Sequence, residues 1–164
     1  MIGGGDWSAD RLIPDLMRAF SAGRPAIIRN PRAVRPWQFV LDPLAGYLML
    51  CERLWRDGPT FGEAWNFGPD WDCDRPVGEL VETAKALWGA GATADIDRRP
   101  TPHEAAILRL DTAKARRLLG WKPKAGYQDA MQMTIDWYRA FYNGRDAREL
   151  CAGQIGKWGG LGNT

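Results

Sequence analysis

Apolar residues set the frame of the chain. Leu12, Ile13, Leu16, Met17 and Phe20 recur at the spacing of one helix face, with Pro14 suited to the first helical position and Gly23 to the stop. Pro25 to Arg29 reads as a short strand bounded by Pro31. Val34 to Val40 reads as a second extended piece, since Pro36 disfavours helix at Arg35. A second helix follows, with Asp42 as N-cap, Pro43 as first residue, and a face of Leu44, Leu48, Cys51, Leu54 and Trp55 that ends at Gly58.

Beyond it, Ala64-Trp65-Asn66-Phe67 predicts a buried strand, and Asp70, Asp72 and Asp74 a solvated acidic loop. A helix from Glu79 to Trp88 turns Leu80, Val81, Ala84, Leu87 and Trp88 inward. Strands are expected around Ile96 and from Ala106 to Leu110. Asp111 would cap a helix from Thr112 to Leu119 that stops at Gly120, with Pro123 beyond. The last long helix runs from Tyr127 to Tyr142. Residues 156–164 carry Gly156, Gly159, Gly160 and Gly162 and are expected to form a loose tail behind a unit spanning 1–155. Short strands alternating with helices imply an α/β arrangement.

Composition narrows the chemistry. With 164 residues, 45% apolar and 26% charged, the chain is long enough for one packed domain and is not a disordered polymer. Lys and Arg total 22 against 20 Asp and Glu, so no basic excess points to nucleic acid or a membrane surface. No apolar run is long enough to span a bilayer and no secretory signal is visible, so a cytoplasmic location is expected. Cys51, Cys73 and Cys151 are scattered, and His103 is the single histidine, so neither a disulfide framework nor a metal site is expected. Neither Ser8 nor Ser21 lies in a GxSxG setting, which removes the common serine hydrolases.

Several residues could bind a ligand. Ile28 to Gln38 holds three arginines, Asn30, Gln38 and Trp37 in extended conformation, and guanidinium forks suit phosphate oxygens. A solvated, arginine-decorated edge strand explains the same letters equally well. Asn66 lies before Gly68-Pro69, where an amide could donate to an anion or sugar hydroxyl, and a turn-forming Asn is the simpler account. His103 sits on a Pro-rich loop beside Glu104 and could reach a phosphate or ribose. Lys114, Arg116, Arg117, Lys122 and Lys124 read as a solvated helix end. Gly89-Ala90-Gly91-Ala92-Thr93-Ala94 matches GxGxxA by letter, but a helix precedes it and a strand follows, the reverse of a dinucleotide cradle. No tyrosine has a lysine four residues on, so no YxxxK pair is present.

The order GGGDW (3–7), DRLIPD (10–15), the 28–38 segment, WNFGP (65–69), PHEA (102–105), LLGWKP (118–123) and TIDWY (134–138) resembles the extended short-chain dehydrogenase/reductases that act on nucleotide sugars. Within that NAD-dependent epimerase/dehydratase family, GGGDW, the arginine segment and PHEA are most like the CDP-glucose 4,6-dehydratases. The resemblance covers residues 2–155 and implies the C-terminal substrate-binding lobe, with the Rossmann NAD-binding half absent. It implies a family reaction in which hydride is borrowed from C4 by NAD, water leaves across C5–C6, and hydride returns to C6. The product, CDP-4-keto-6-deoxyglucose, feeds the deoxyhexoses of O-antigen and other lipopolysaccharide. It implies homo-oligomers for the full-length family and, for this chain alone, a grip on CDP-glucose or a related nucleotide sugar without catalytic residues. By resemblance, Arg35 would bind the diphosphate and Asn66 would line the same pocket. Arg11, Leu12 and Pro14 would lie along the nucleotide, Ile28 and Arg29 beside the base, and His103 near ribose and diphosphate. Phe39 stands where the family usually has His. A stand-alone CDP-sugar-binding module, or part of another nucleotide-sugar dehydratase or epimerase, are the alternatives.

Overall fold

A computed structural model describes residues 1–97 and 105–161. Five helices carry most of the mass: α1 (Leu12–Ser21), α2 (Leu41–Asp57), α3 (Val77–Trp88), α4 (Tyr127–Tyr142) and α5 (Ala147–Gly160). Four three-residue strands accompany them: β1 (Ala26–Ile28), β2 (Val34–Pro36), β3 (Asp74–Pro76) and β4 (Ala94–Ile96). β1 pairs in parallel with β4, Ile27 facing Asp95. β2 pairs antiparallel with β3, Arg35 facing Arg75. Ile2 and Phe39 form an isolated parallel bridge, held by Ile2 N–H to Gln38 O at 2.7 Å and Val40 N–H to Ile2 O at 2.9 Å.

The core lies among α1, α3 and α4. Leu16, Met17 and Phe20 from α1 meet Leu80, Val81 and Ala84 from α3 and Met131, Ile135 and Tyr138 from α4, all buried. Burying one such side chain contributes about 1.5–3 kcal/mol. The glycine run serves this core. A Cβ on Gly4 would stand 2.1 Å from the Trp137 ring, and Gly5 turns with φ +80. Trp7 then packs edge-on to Tyr138 at 5.3 Å, whose hydroxyl donates to Asp6 O at 2.5 Å. A smaller cluster of Phe67, Ala115, Leu119 and Trp121 sits apart, with Met49 and Leu50 of α2 against it.

Several expectations are corrected. Of the tail expected to be loose, 156–160 are helical and 162–164 lie outside the described residues: α5 runs to Gly160, capped by Asp146 accepting from Glu149 N–H at 3.0 Å. Its glycines offer no side chains to pack, so anchoring falls to Gln154, which donates to Met133 O, and to Trp158. Asp42 is not an N-cap. The helix starts one residue earlier and Asp42 is 1% exposed, accepting from Lys124 N–H and Trp158 Nε1 at 2.9 Å each and from Ala125 N–H at 3.4 Å. The apolar face assigned to α2 is outside: Leu48 is 72% and Trp55 91% exposed, and the helix buries only Asp42, Pro43 and Gly46. Helical spacing located the stripe, but nothing in the described residues covers it.

Ala64 to Phe67 joins no ladder, and 106–110 contributes only a bridge, Ile107 to Val34. The acidic loop is partly structured, since Asp74 opens β3 and pairs with Arg109 at 2.7 Å. The basic helix end is engaged rather than simply solvated: Lys114 pairs with Glu63 at 2.5 Å and Arg116 with Asp70. Within 112–119 the backbone tightens onto Asp111, which caps Ala113 N–H at 2.8 Å, and widens to a π-turn over Ala115–Leu119.

Candidate functional site

One cavity of about 730 Å³ opens between α1, β1 and the strand segment 35–38. Arg11, Leu12, Pro14, Ile28, Arg29 and Arg35 all line it, six of the eight residues singled out from sequence. Pro14 is placed by α1, whose first turns bury Ile13 and Pro14 against the core. Ile28 is placed by β1, where Ala26 and Ile28 are buried and Ile27 is exposed, and all three line the cavity. Arg35 sits in β2, and its Nη1 donates to Val34 O at 2.9 Å and Ala105 O at 2.8 Å. That second bond ties the segment after residue 104 to the cavity wall.

Asn66 is outside this group. It is exposed, and its Nδ2 donates to Asp111 O at 3.2 Å, the turn-holding role that stood as the simpler account. The neighbouring Phe67 lines the cavity instead. His103 lies outside the described residues. Phe39 is fully buried and belongs to the core, while the adjacent Gln38 lines the cavity.

Three acidic residues on the cavity wall, Asp6, Asp10 and Asp15, escaped the sequence reading, and Asp15 is paired with Arg18. Asp6 accepts from Ser8 N–H at 2.9 Å. Burial pushes its pKa up, but the Ser8 hydrogen bonds and the cations Arg11 and Arg18 outweigh that, and the net shift is downward. Asp10 pairs with Arg29 at 3.1 Å across the mouth. It is the one non-glycine residue with positive φ, +59, among the described residues. Asp6 and Asp10 lie within segments noted for their resemblance, but carboxylates beside arginines carry no sequence signal of their own.

The chemistry available is that of binding. Cationic forks, carboxylate acceptors and apolar walls surround a volume of the size usual for a small-molecule site. Cys73 is buried, and burial with Asp72 nearby pushes its thiol up to about 12, so it offers no nucleophile at neutral pH. Among the described residues no three of His, Cys, Asp and Glu are placed to hold a metal ion. No helix among them is long and apolar enough to cross a membrane. The Gly89–Ala94 loop does not fit a dinucleotide: it leaves α3 and enters β4, so no helix N-terminus faces it.

No family model matches the chain. In sequence it is 44% identical over 146 residues to the CDP-glucose 4,6-dehydratase of Salmonella typhimurium, an alignment that takes in 89% of this chain and 41% of that enzyme. In structure it overlays the UDP-glucuronic acid 4-epimerase of Bacillus cereus, solved with UDP-glucuronic acid and NAD, with a TM-score of 0.68, 19% identity, 81% of this chain and 41% of that one. The dTDP-glucose 4,6-dehydratase of Bacillus anthracis, solved with NAD, gives 0.66 at 19% identity over 90% of this chain and 44% of that one. The chain thus spans about two-fifths of the length of the proteins it matches. It has the mixed helix-and-strand fold of the extended short-chain dehydrogenase/reductase dehydratases and epimerases over that part, and its sequence is similar to CDP-glucose 4,6-dehydratase.

Proposed function

We propose that this chain is the nucleotide-sugar-binding portion of a CDP-glucose 4,6-dehydratase, with Arg35 as the diphosphate clamp and Arg11, Leu12, Pro14, Ile28 and Arg29 along the nucleotide. The observation that carries this reading is the convergence of those six residues on one cavity. They come from three separate segments, 11–14, 28–29 and 35, which the fold brings to one wall. The 44% identity to the Salmonella enzyme supports CDP-glucose over other nucleotide sugars. Of the other two, His103 is kept as a further contact on the resemblance alone, and Asn66, bonded to Asp111 O outside the cavity, is not.

NAD and the hydride chemistry would come from the remaining length of such an enzyme. Two features support a surface awaiting it. The Ile2–Phe39 bridge is parallel, and parallel pairs occur almost only inside larger sheets covered by helices. α2 follows that bridge directly and presents Leu48 and Trp55 to the outside. A parallel sheet carrying the cofactor would cover that face, and homo-oligomers and a cytoplasmic setting would follow for the whole enzyme.

Calorimetric titration of the chain with CDP-glucose tests the reading. Binding is expected, and Arg35→Ala should weaken it by about 1.5–3 kcal/mol, the range for a charge-assisted hydrogen bond. Absence of binding in the wild-type chain, or equal binding by the variant, would overturn the assignment. Full turnover of CDP-glucose with NAD by the purified chain would overturn the restriction to binding.

A further inference from the structure

Of the five helices, α5 alone buries no residue. Among its fourteen residues only Ala147, Leu150, Gln154 and Trp158 are even half-buried, and they share one face. Gly153, Gly156, Gly159 and Gly160 cost the helix backbone freedom and add no side-chain contact. A helix of this length is marginal by itself in water. It holds its shape because it is docked.

The docking rests on two side chains. Gln154 donates to Met133 O on α4. Trp158 Nε1 donates to Asp42 Oδ1 at 2.9 Å. Lys124 closes over the same indole, its Nζ 4.7 Å from the ring centre, and donates to Gly159 O at 3.3 Å. At the other end, the joint to α4 is exposed over 142–146 and turns at Gly144 with φ +83. Such a segment, jointed at one end and anchored by one ring at the other, opens as a unit. Opening also returns water to the Asp42 carboxylate, whose pKa burial raises, and this offsets part of the lost contacts.

We infer that α5 is a strap that docks and releases in one piece while α1, α3 and α4 stay folded, and that its grip on Asp42 steadies one wall of the cavity. Asp42 lies between Gln38 and Tyr47 in the chain, and both of these line the cavity. With the strap docked, Trp158 joins the donors that hold the first turn of α2. With it released, the carboxylate keeps only the Lys124 and Ala125 N–H groups. The inference stands whatever the cavity binds.

Hydrogen exchange of the full chain, read by mass spectrometry, tests it. Amides of 148–160 should be protected at least tenfold less than those of 131–142 in α4. Trp158→Phe keeps an apolar ring and removes the N–H donor. It should speed exchange in 148–160 about tenfold, the low end for a hydrogen bond to a charged group. Exchange in 41–46 should rise about threefold, with α1, α3 and α4 unchanged. Equal protection of α4 and α5 overturns the strap, because the two would then open together. Loosening of α1, α3 and α4 alongside α5 in the variant overturns it as well, and so does unchanged exchange in 148–160. Faster exchange in 148–160 with 41–46 unmoved overturns the grip on the cavity wall.

Discussion

α2 and α4 differ by one residue in length, and each carries an apolar stripe at helical spacing. α4 buries eight residues, among them Met131, Ile135, Trp137 and Tyr138. α2 buries three, of which one is an aspartate and one a glycine. The stripes look alike in sequence, yet one is the centre of this fold and the other its outside. Amphipathic spacing therefore says that a face will be covered, not that the covering lies within the same stretch of chain.

The largest effect separating the two helices is expected at Trp137. Trp137→Ala should cost about 3–5 kcal/mol in urea unfolding, as a large buried ring is lost from beneath Gly4. The double change Leu48→Ser with Trp55→Ser should alter stability by less than about 0.5 kcal/mol, since neither side chain is packed. A comparable cost for the α2 pair would mean that its stripe is already buried in solution, for instance against a second copy.

A smaller contrast concerns the carboxylate at the start of α2. Burial raises the Asp42 pKa despite its hydrogen bonds from Lys124, Trp158 and Ala125. Between the ordinary value of 3.8 and the raised folded value, the native state keeps a proton that the unfolded chain has released. Stability contributed by this group is therefore fully present below pH 3.8 and falls as pH rises through the folded value. Unfolding measured across that interval should show the fall in the wild type, and Asp42→Asn should flatten it. A fall of the same size in the variant would place the titration elsewhere.

The smallest and simplest contrast uses the three thiols. Cys51 on α2 and Cys151 on α5 are exposed, and Cys73 is buried. Native alkylation followed by mass analysis should label the first two, and Cys73 only in denaturant. If Cys51 becomes protected when the remaining length of a dehydratase is supplied, the outer face of α2 is the surface it covers. Labelling of Cys51 unchanged in that mixture would place the contact on another face.

What could be read from sequence follows a physical division. α1, α3 and α4 were legible because their apolar residues face one another within this chain, so spacing and burial agree. The Gly120 stop, left-handed with φ +69, was legible from local chemistry alone. α5 was not, because glycines argue against helix by propensity and its support comes from Asp42, 116 residues away from Trp158. The strand expected at Ala64–Phe67 failed because composition marked it buried while only Phe67 is. In the cavity, the arginines were legible by charge and order. Asp6 and Asp10 were not, since a carboxylate on a cavity wall lined with arginines becomes visible only once the fold brings the two together, as in the Arg29–Asp10 pair.

The hydrogen bonds on Asp42 have a consequence in time. Trp121 Nε1 donates to its carbonyl across 79 residues, Lys124 and Ala125 reach its carboxylate across 82 and 83, and Trp158 across 116. No local pairing can substitute for contacts of that sequence separation, and closing such loops slows folding. A chain leaving the ribosome N-terminus first carries Asp42 without its full set of partners until Trp158 emerges. The start of α2, beside the strand that walls the cavity, is thus among the last parts of the molecule to be completed during synthesis.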